Sequence, residues 1–237
     1  MDTVIKARKR LVDWLGQADC SACALGGEAV CQDLPRARRD GAPAPIDQLT
    51  YGAHMALYSE GDAAPYVFAV RDGLLKMTQL AGNGTRRIVR FLQAGQMAGL
   101  EALGGGPYRH TVETIRPTLV CRIPVAVLKE GAGNGIALSP RLFQLWLRSL
   151  DDADKIIRQL STGASPGRVV RFLLYALSGP DDDSCVALSR EDMSAVLSVA
   201  METVSRTIAD LKRQGLLREV NGRFHFNRAG LLPLAAE

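Results

Sequence analysis

The apolar residues of this chain change period part-way along it, and that change limits the fold more than any other feature. Between residues 51 and 124 they fall into short β-type runs at 66–70, 74–80, 87–92 and 118–123. Gly-containing turns separate the runs: Glu60-Gly61-Asp62, Arg71-Asp72-Gly73, Ala81 to Gly84 and Ala94-Gly95-Gln96. Short strands at regular spacing with such turns predict an antiparallel roll or barrel. Over 139–162 the period lengthens: Leu142, Trp146, Leu150, Ala153, Ile157 and Leu160 recur in steps of three and four. That pattern predicts one long helix with a narrow apolar seam, which Pro140 is suited to start. A seam this narrow can pair with its symmetry mate in a homodimer; the alternative is a helix packed on its own domain.

After the long helix the chain reads as helix (168–177), turn (179–183), short strand (185–188), two helices and a hairpin. Ser189 followed by Asp192 resembles a capping box ahead of Met193, Val196 and Leu197. Leu197-Ser198-Val199 is read as the turn, and a second helix is expected over 201–214, ending at Gly215. Its inward stripe is Val204, Ile208 and Leu211; Glu202, Ser205 and Arg206 share another face near the helix start. A recognition helix meets base edges there. Arg donates two hydrogen bonds to guanine, Glu accepts from cytosine, and Ser reaches either. Thr203 and Thr207 are candidates for phosphate contacts. Asn221-Gly222 between alternating apolar residues signals a hairpin, here a wing. Within 203–228, Arg206, Lys212, Arg213, Arg218, Arg223 and Arg228 face only Asp210 and Glu219, so positive charge gathers where nucleic acid would lie. The competing reading is a winged helix used for protein contacts.

The first segment, 2–15, is expected to be a short helix with Val4, Ile5, Leu11, Val12 and Leu15 inward. Lys6, Arg8, Lys9 and Arg10 precede no apolar stretch, so a secretory signal is not expected. No run is long and apolar enough for a membrane helix. A cytoplasmic, reducing setting follows as an expectation, in which clustered cysteines read as metal ligands or redox sensors. Cys20, Cys23 and Cys31 cluster near the start, Cys121 lies far downstream in Leu119-Val-Cys-Arg-Ile-Pro124, and Cys185 reads as a small buried residue. Three clustered thiolates and a distant one can make a four-cysteine site. An enzyme is not expected. Gly104-Gly105-Gly106 is not followed by Lys-Ser/Thr, so it is no phosphate loop. Asp151, Asp152, Asp154 and Asp181 to Asp183 fit a solvated helix face and a turn.

Several stretches resemble the Crp/Fnr superfamily. They are Gly61-Asp62 with Tyr66-Val-Phe-Ala-Val-Arg-Asp-Gly73-Leu-Leu-Lys76, Phe91-Leu-Gln-Ala-Gly95-Gln-Met-Ala-Gly99, and Met201-Glu-Thr-Val-Ser-Arg-Thr207 with Leu211 and Gly215-Leu-Leu. The resemblance implies an α+β chain: an antiparallel β-roll like cyclic-nucleotide-binding domains, a long dimerisation helix and a C-terminal winged helix-turn-helix. The domains would be a cysteine-bearing segment and linker (1–45), a β-roll sensor (46–138), a dimerisation helix (139–164) and a DNA-binding domain (165–237). Glu202, Ser205 and Arg206 match the Glu-x-x-Ser-Arg pattern of the Fnr branch, which implies a homodimer on a TTGAT-N4-ATCAA-like palindrome. The cysteines also resemble that branch, which implies an oxygen-labile 4Fe–4S cluster on Cys20, Cys23, Cys31 and Cys121 that favours the dimer. The gap before Cys31 is longer than that branch often shows, with Gly26-Gly27 to take up the slack. Zinc fits four thiolates equally well, and thiol redox remains an alternative. A cyclic nucleotide near Arg109 and haem on His54, His110 or His225 are weaker alternatives. Ser198 departs from the Gly many relatives carry in the turn. Arg86, Arg87 and loop 81–85 are candidates for touching RNA polymerase, though their chemistry singles out no partner.

Overall fold

The computed structural model describes residues 12–20, 23, 45–131, 140–175 and 183–235. Two compact units are present. One draws on Met1–Met77 and Phe91–Trp146, the other on Thr78–Arg90 and Leu147–Glu237.

The roll lies mainly in the first unit. Its strands are β1 (Val12–Gln17), β2 (Asp47–Tyr51), β3 (Ala56–Tyr58), β4 (Tyr66–Asp72), β5 (Leu74–Leu80), β6 (Arg86–Gln93), β7 (Met97–Ala98), β8 (Thr111–Thr114) and β9 (Thr118–Pro124), followed by α1 (Val125–Gly131). Residues 78–90, which end β5 and begin β6, fall in the second unit. One sheet runs β1-β2-β9-β4-β7 and the other β3-β8-β5-β6. Every pairing in the first sheet is antiparallel. Val67, Val70, Leu75, Val112, Val120 and Ile123 are fully buried, each stabilising the roll by about 1.5–3 kcal/mol. Gly73 joins β4 to β5 at φ +118°, where a β-carbon would lie 2.3 Å from Thr118 Oγ1. Only glycine permits that approach of β9.

The N-terminal expectation is corrected. Val12 opens a strand, not the end of a helix, and Val12 and Leu15 are exposed rather than inward. Val12 pairs with Tyr51, and Ala18 N donates to Ile46 O at 2.8 Å. The open edge of β2 offers a ladder that overrides local helical spacing. Residues 2–11 lie outside the described ones.

The second unit holds most of α2 (Pro140–Leu160), then α3 (Ser165–Tyr175), β10 (Ser184–Val186), α4 (Arg190–Leu197), α5 (Met201–Arg213), β11 (Leu217–Val220), β12 (Arg223–Phe226) and α6 (Arg228–Ala235). Its sheet runs β10-β12-β11. Phe172, Met193, Leu197, Val204, Phe224, Leu231 and Cys185 are fully buried. Among the described residues no helix is long and apolar enough to cross a membrane.

Candidate nucleic-acid interface and thiol site

Local chemistry sets the helix pair. Ser189 caps α4, its hydroxyl accepting from Asp192 N at 3.0 Å. The helix stops at Ser198, which is left-handed (φ 54°, ψ 42°), a geometry costing a non-glycine residue roughly 1–2 kcal/mol. Ser194 Oγ donates to Val199 O at 2.7 Å and braces the turn. In α5, Val204, Ile208 and Leu211 face the core. Glu202, Ser205 and Arg206 are exposed, and Arg206 has no ion-pair partner among the described residues. Ala200 at the cap position offers no side chain to the first turn, so backbone N–H groups there suit an outside acceptor. Thr203 is half-buried at the same end.

Thr207 is corrected. It is buried, and its hydroxyl donates to Thr203 O at 2.9 Å, so it sits on the core face one turn beyond Thr203 and cannot reach a phosphate. The wing forms as expected. Asn221 (φ 49°) and Gly222 (φ 71°) turn β11 into β12, the left-handed pair a two-residue hairpin needs. Lys212 Nζ lies 2.7 Å from Glu219 Oε2 and ties α5 to the wing. Arg218 and Arg223 are exposed on the two wing strands. Arg86 is engaged within the chain: its Nη2 lies 3.4 Å from Glu191 Oε1 and 3.9 Å from Asp192 Oδ1 on α4.

Along α2 the seam divides. Phe143, Trp146, Leu147, Leu150 and Ile157 are exposed, and Ala153 is half-buried. Leu160, expected in the same seam, is only 2% exposed within its own chain; it is packed inside the second unit, so it has no surface left for a second copy. The Leu142 side chain lies outside the described ones.

At the thiol site Cys121 is buried in β9, while Cys20 and Cys23 are half-buried. Cys20 Sγ lies 3.9 Å from Ala18 O. Burial pushes the Cys121 thiol up to about 11; Arg71 opposes the shift, and Cys20 and Cys23 add to it. Cys20 and Cys23 thus act electrostatically on Cys121 across the β1–β2–β9 sheet. Among the described residues, however, no three His, Cys, Asp or Glu side chains close into a metal-ligand set. Cys31 lies outside them.

A tie that the sequence did not signal sits beside this site. Trp14 Nε1 donates to Asp47 Oδ1 at 3.0 Å, and Arg122, next to Cys121, donates to Asp47 Oδ2 at 2.6 Å. Burial pushes the Asp47 carboxyl up, but the bonds from Arg122 and Trp14 outweigh it and hold the group below its ordinary value. Only the pairing of β1 and β9 with β2 brings these residues together. Elsewhere in the roll, Arg109 is exposed and its backbone N lies 3.4 Å from Glu101 Oε1. Tyr58 and Tyr108 stack at 3.7 Å within the core.

The cyclic nucleotide-binding domain family matches residues 48–131, and the Crp-like helix-turn-helix domain family matches residues 167–232. The chain belongs to the Crp/Fnr family. The nitrogen fixation regulation protein FixK of Bradyrhizobium diazoefficiens is 27% identical over 209 residues, covering 86% of this chain and 87% of its own. The transcriptional activator protein FnrA of Stutzerimonas stutzeri is 28% identical over 217 residues, covering 87% of each. The solved structure of FixK2 from Bradyrhizobium japonicum superposes with a TM-score of 0.68 at 27% identity, covering 81% of this chain and 98% of its own. This Crp/Fnr chain is accordingly a DNA-binding transcription regulator, and its relatives are regulators rather than enzymes.

Proposed function

We propose that the chain acts as a homodimeric, oxygen-responsive regulator of the Fnr type, binding a TTGAT-N4-ATCAA-like palindrome. The observation that carries the DNA reading is the face of α5. Glu202, Ser205 and Arg206 stand exposed above a buried stripe, with basic wing strands alongside. Arg206 would donate to guanine, Glu202 would accept from cytosine, Ser205 would reach a neighbouring base, and Thr203 would take a phosphate. A second copy would cover Trp146, Leu150, Ala153 and Ile157, together with Phe143 and Leu147. Residues 139–164 then serve as the dimerisation helix, 46–138 as the sensor and 165–237 as the DNA-binding domain. The name of FnrA favours activation, with RNA polymerase as partner.

For sensing, the proposal places a 4Fe–4S cluster on Cys20, Cys23, Cys31 and Cys121, supported by the electrostatic action of Cys20 and Cys23 on Cys121 and by the strand β1 that joins the sheet of β9. When bound, such a cluster supplies a group that oxygen dismantles. The chain's own part is positional. Cys121 is fixed in β9, and the Trp14–Asp47–Arg122 tie holds the segment bearing Cys20 beside it. With the thiols unligated, the β1–β2 ladder, that tie and the Ala18–Ile46 bond would anchor the segment without the cluster, and weaker dimer packing would lower affinity for a two-part site.

The test is anaerobic purification. Visible absorption, iron, sulfide and sedimentation mass are read before and after air, with competition between the palindrome and a scrambled duplex. Brown protein with near-equal iron and sulfide that bleaches and shifts toward monomer supports the reading. Colourless protein holding zinc, or no metal, with an air-insensitive dimer removes oxygen sensing. Equal affinity for both duplexes removes the operator assignment.

A further inference from the structure

The guanidinium of Arg171, on α3, is the point where three separate pieces of the second unit meet. Its Nε donates to Gln159 O at 2.7 Å, in the last turn of α2. Its Nη1 donates to Ala235 O at 2.6 Å, at the end of α6. Its Nη2 donates to Thr162 O in the loop between α2 and α3. The last carbonyls of a helix have no partner inside it and carry partial negative charge, so a cation there satisfies both needs. One planar fork meets two helix ends and a loop at once, which the single ammonium of lysine cannot reproduce. The loop is shaped to admit it. Gly163 is left-handed at φ +80°, and a β-carbon there would come within 2.9 Å of Nη2. Leu160, two residues earlier, is buried.

What these pieces connect gives the cluster its meaning. The end of α2 finishes the apolar seam, α3 leads into α4 and α5, and α6 follows directly from the wing. We propose that Arg171 is a positioning residue for two-site DNA recognition: it locks the end of the seam helix to the body that carries α5, and so sets which half-site spacing the dimer accepts. This rests on the reading of the chain as a dimer on a palindrome. Arg171 touches no DNA in this account.

The test uses full-length wild type, Arg171→Met and Arg171→Lys. Each is titrated with a TTGAT-N4-ATCAA duplex, the same duplex with one base pair added or removed between half-sites, and a single half-site. Backbone amide exchange is followed across 159–164 and the last turn of α6. Arg171→Met is expected to lose about tenfold on the native palindrome, keep its half-site affinity and discriminate less between spacings. Arg171→Lys should fall between it and wild type. Exchange should quicken at the two helix ends while α4 and α5 keep their protection. Unchanged spacing preference together with unchanged exchange overturns the proposal, as does an equal loss on palindrome and half-site. A wild type that prefers no palindrome would sink the dimeric reading instead, and the exchange comparison would still decide whether Arg171 holds the junction.

Discussion

In the winged helix, the base-contacting residues proposed for DNA lie within one turn of α5, from Glu202 to Arg206. The proposed thiol site would instead join Cys20 and Cys23 to Cys121 on β9, with most of the roll's sequence between them. The first surface needs only a helix, its buried stripe and a turn to be correct. The second needs β1 and β9 both paired with β2 in the right register. A site on one element survives damage elsewhere, whereas a site assembled from distant strands reports the integrity of the whole sheet.

Four substitutions test that contrast. The largest effect is expected from Cys121→Ser, which should abolish iron retention and the air-dependence of DNA binding while leaving half-site recognition intact, read by iron analysis and titration. Loss of half-site binding in that variant would break the separation. Arg206→Ala should do the reverse, costing about 1–3 kcal/mol in specific binding with iron content unchanged; a competition assay against scrambled DNA decides it. Ser198→Gly should stabilise the DNA-binding half by roughly 1 kcal/mol by relieving the left-handed strain, seen as a raised denaturation midpoint. The smallest effect is expected from Asp47→Asn, and it depends on pH. The native Asp47 carboxyl titrates below its ordinary 3.8, so its bonds to Arg122 and Trp14 add stability that is present above that value and fades as pH falls through the lower native one. The variant should therefore be weaker than wild type near neutrality, and the gap should close in acid below about pH 4. A gap that persists unchanged in acid would show that the carboxylate charge does not matter.

The same contrast explains what could be read from sequence. α5, its stripe and the Asn221-Gly222 turn follow from local rules, and they lie where spacing put them. The strand runs at 74–80 and 118–123 were legible as short apolar runs bounded by turn residues, Gly73 before the first and Pro117 before the second. The strand at Val12 was not. Its residues fit a helix equally well, and only the open edge of β2 decides between the two. Thr207 and Leu160 were misplaced for a related reason: each keeps the period of its helix, but whether a face meets solvent, a partner or the chain's own core depends on packing that the period does not encode. Arg171 gave no signal, since its acceptors are backbone carbonyls, which any sequence supplies.

The chain contains two tryptophans, and they fall on the two sides of the proposed mechanism. Trp14 is 63% exposed on the strand that leads to Cys20, and Trp146 is 39% exposed on the α2 seam. Both indoles should emit at long wavelength in the isolated chain. Pairing of two copies would shift Trp146 toward the blue, and any loosening of the N-terminal strand would alter Trp14 through its bond to Asp47. The protein therefore carries its own optical reporters, one for the thiol segment and one for assembly. Trp14→Phe and Trp146→Phe would separate the two signals and show in real time which event comes first.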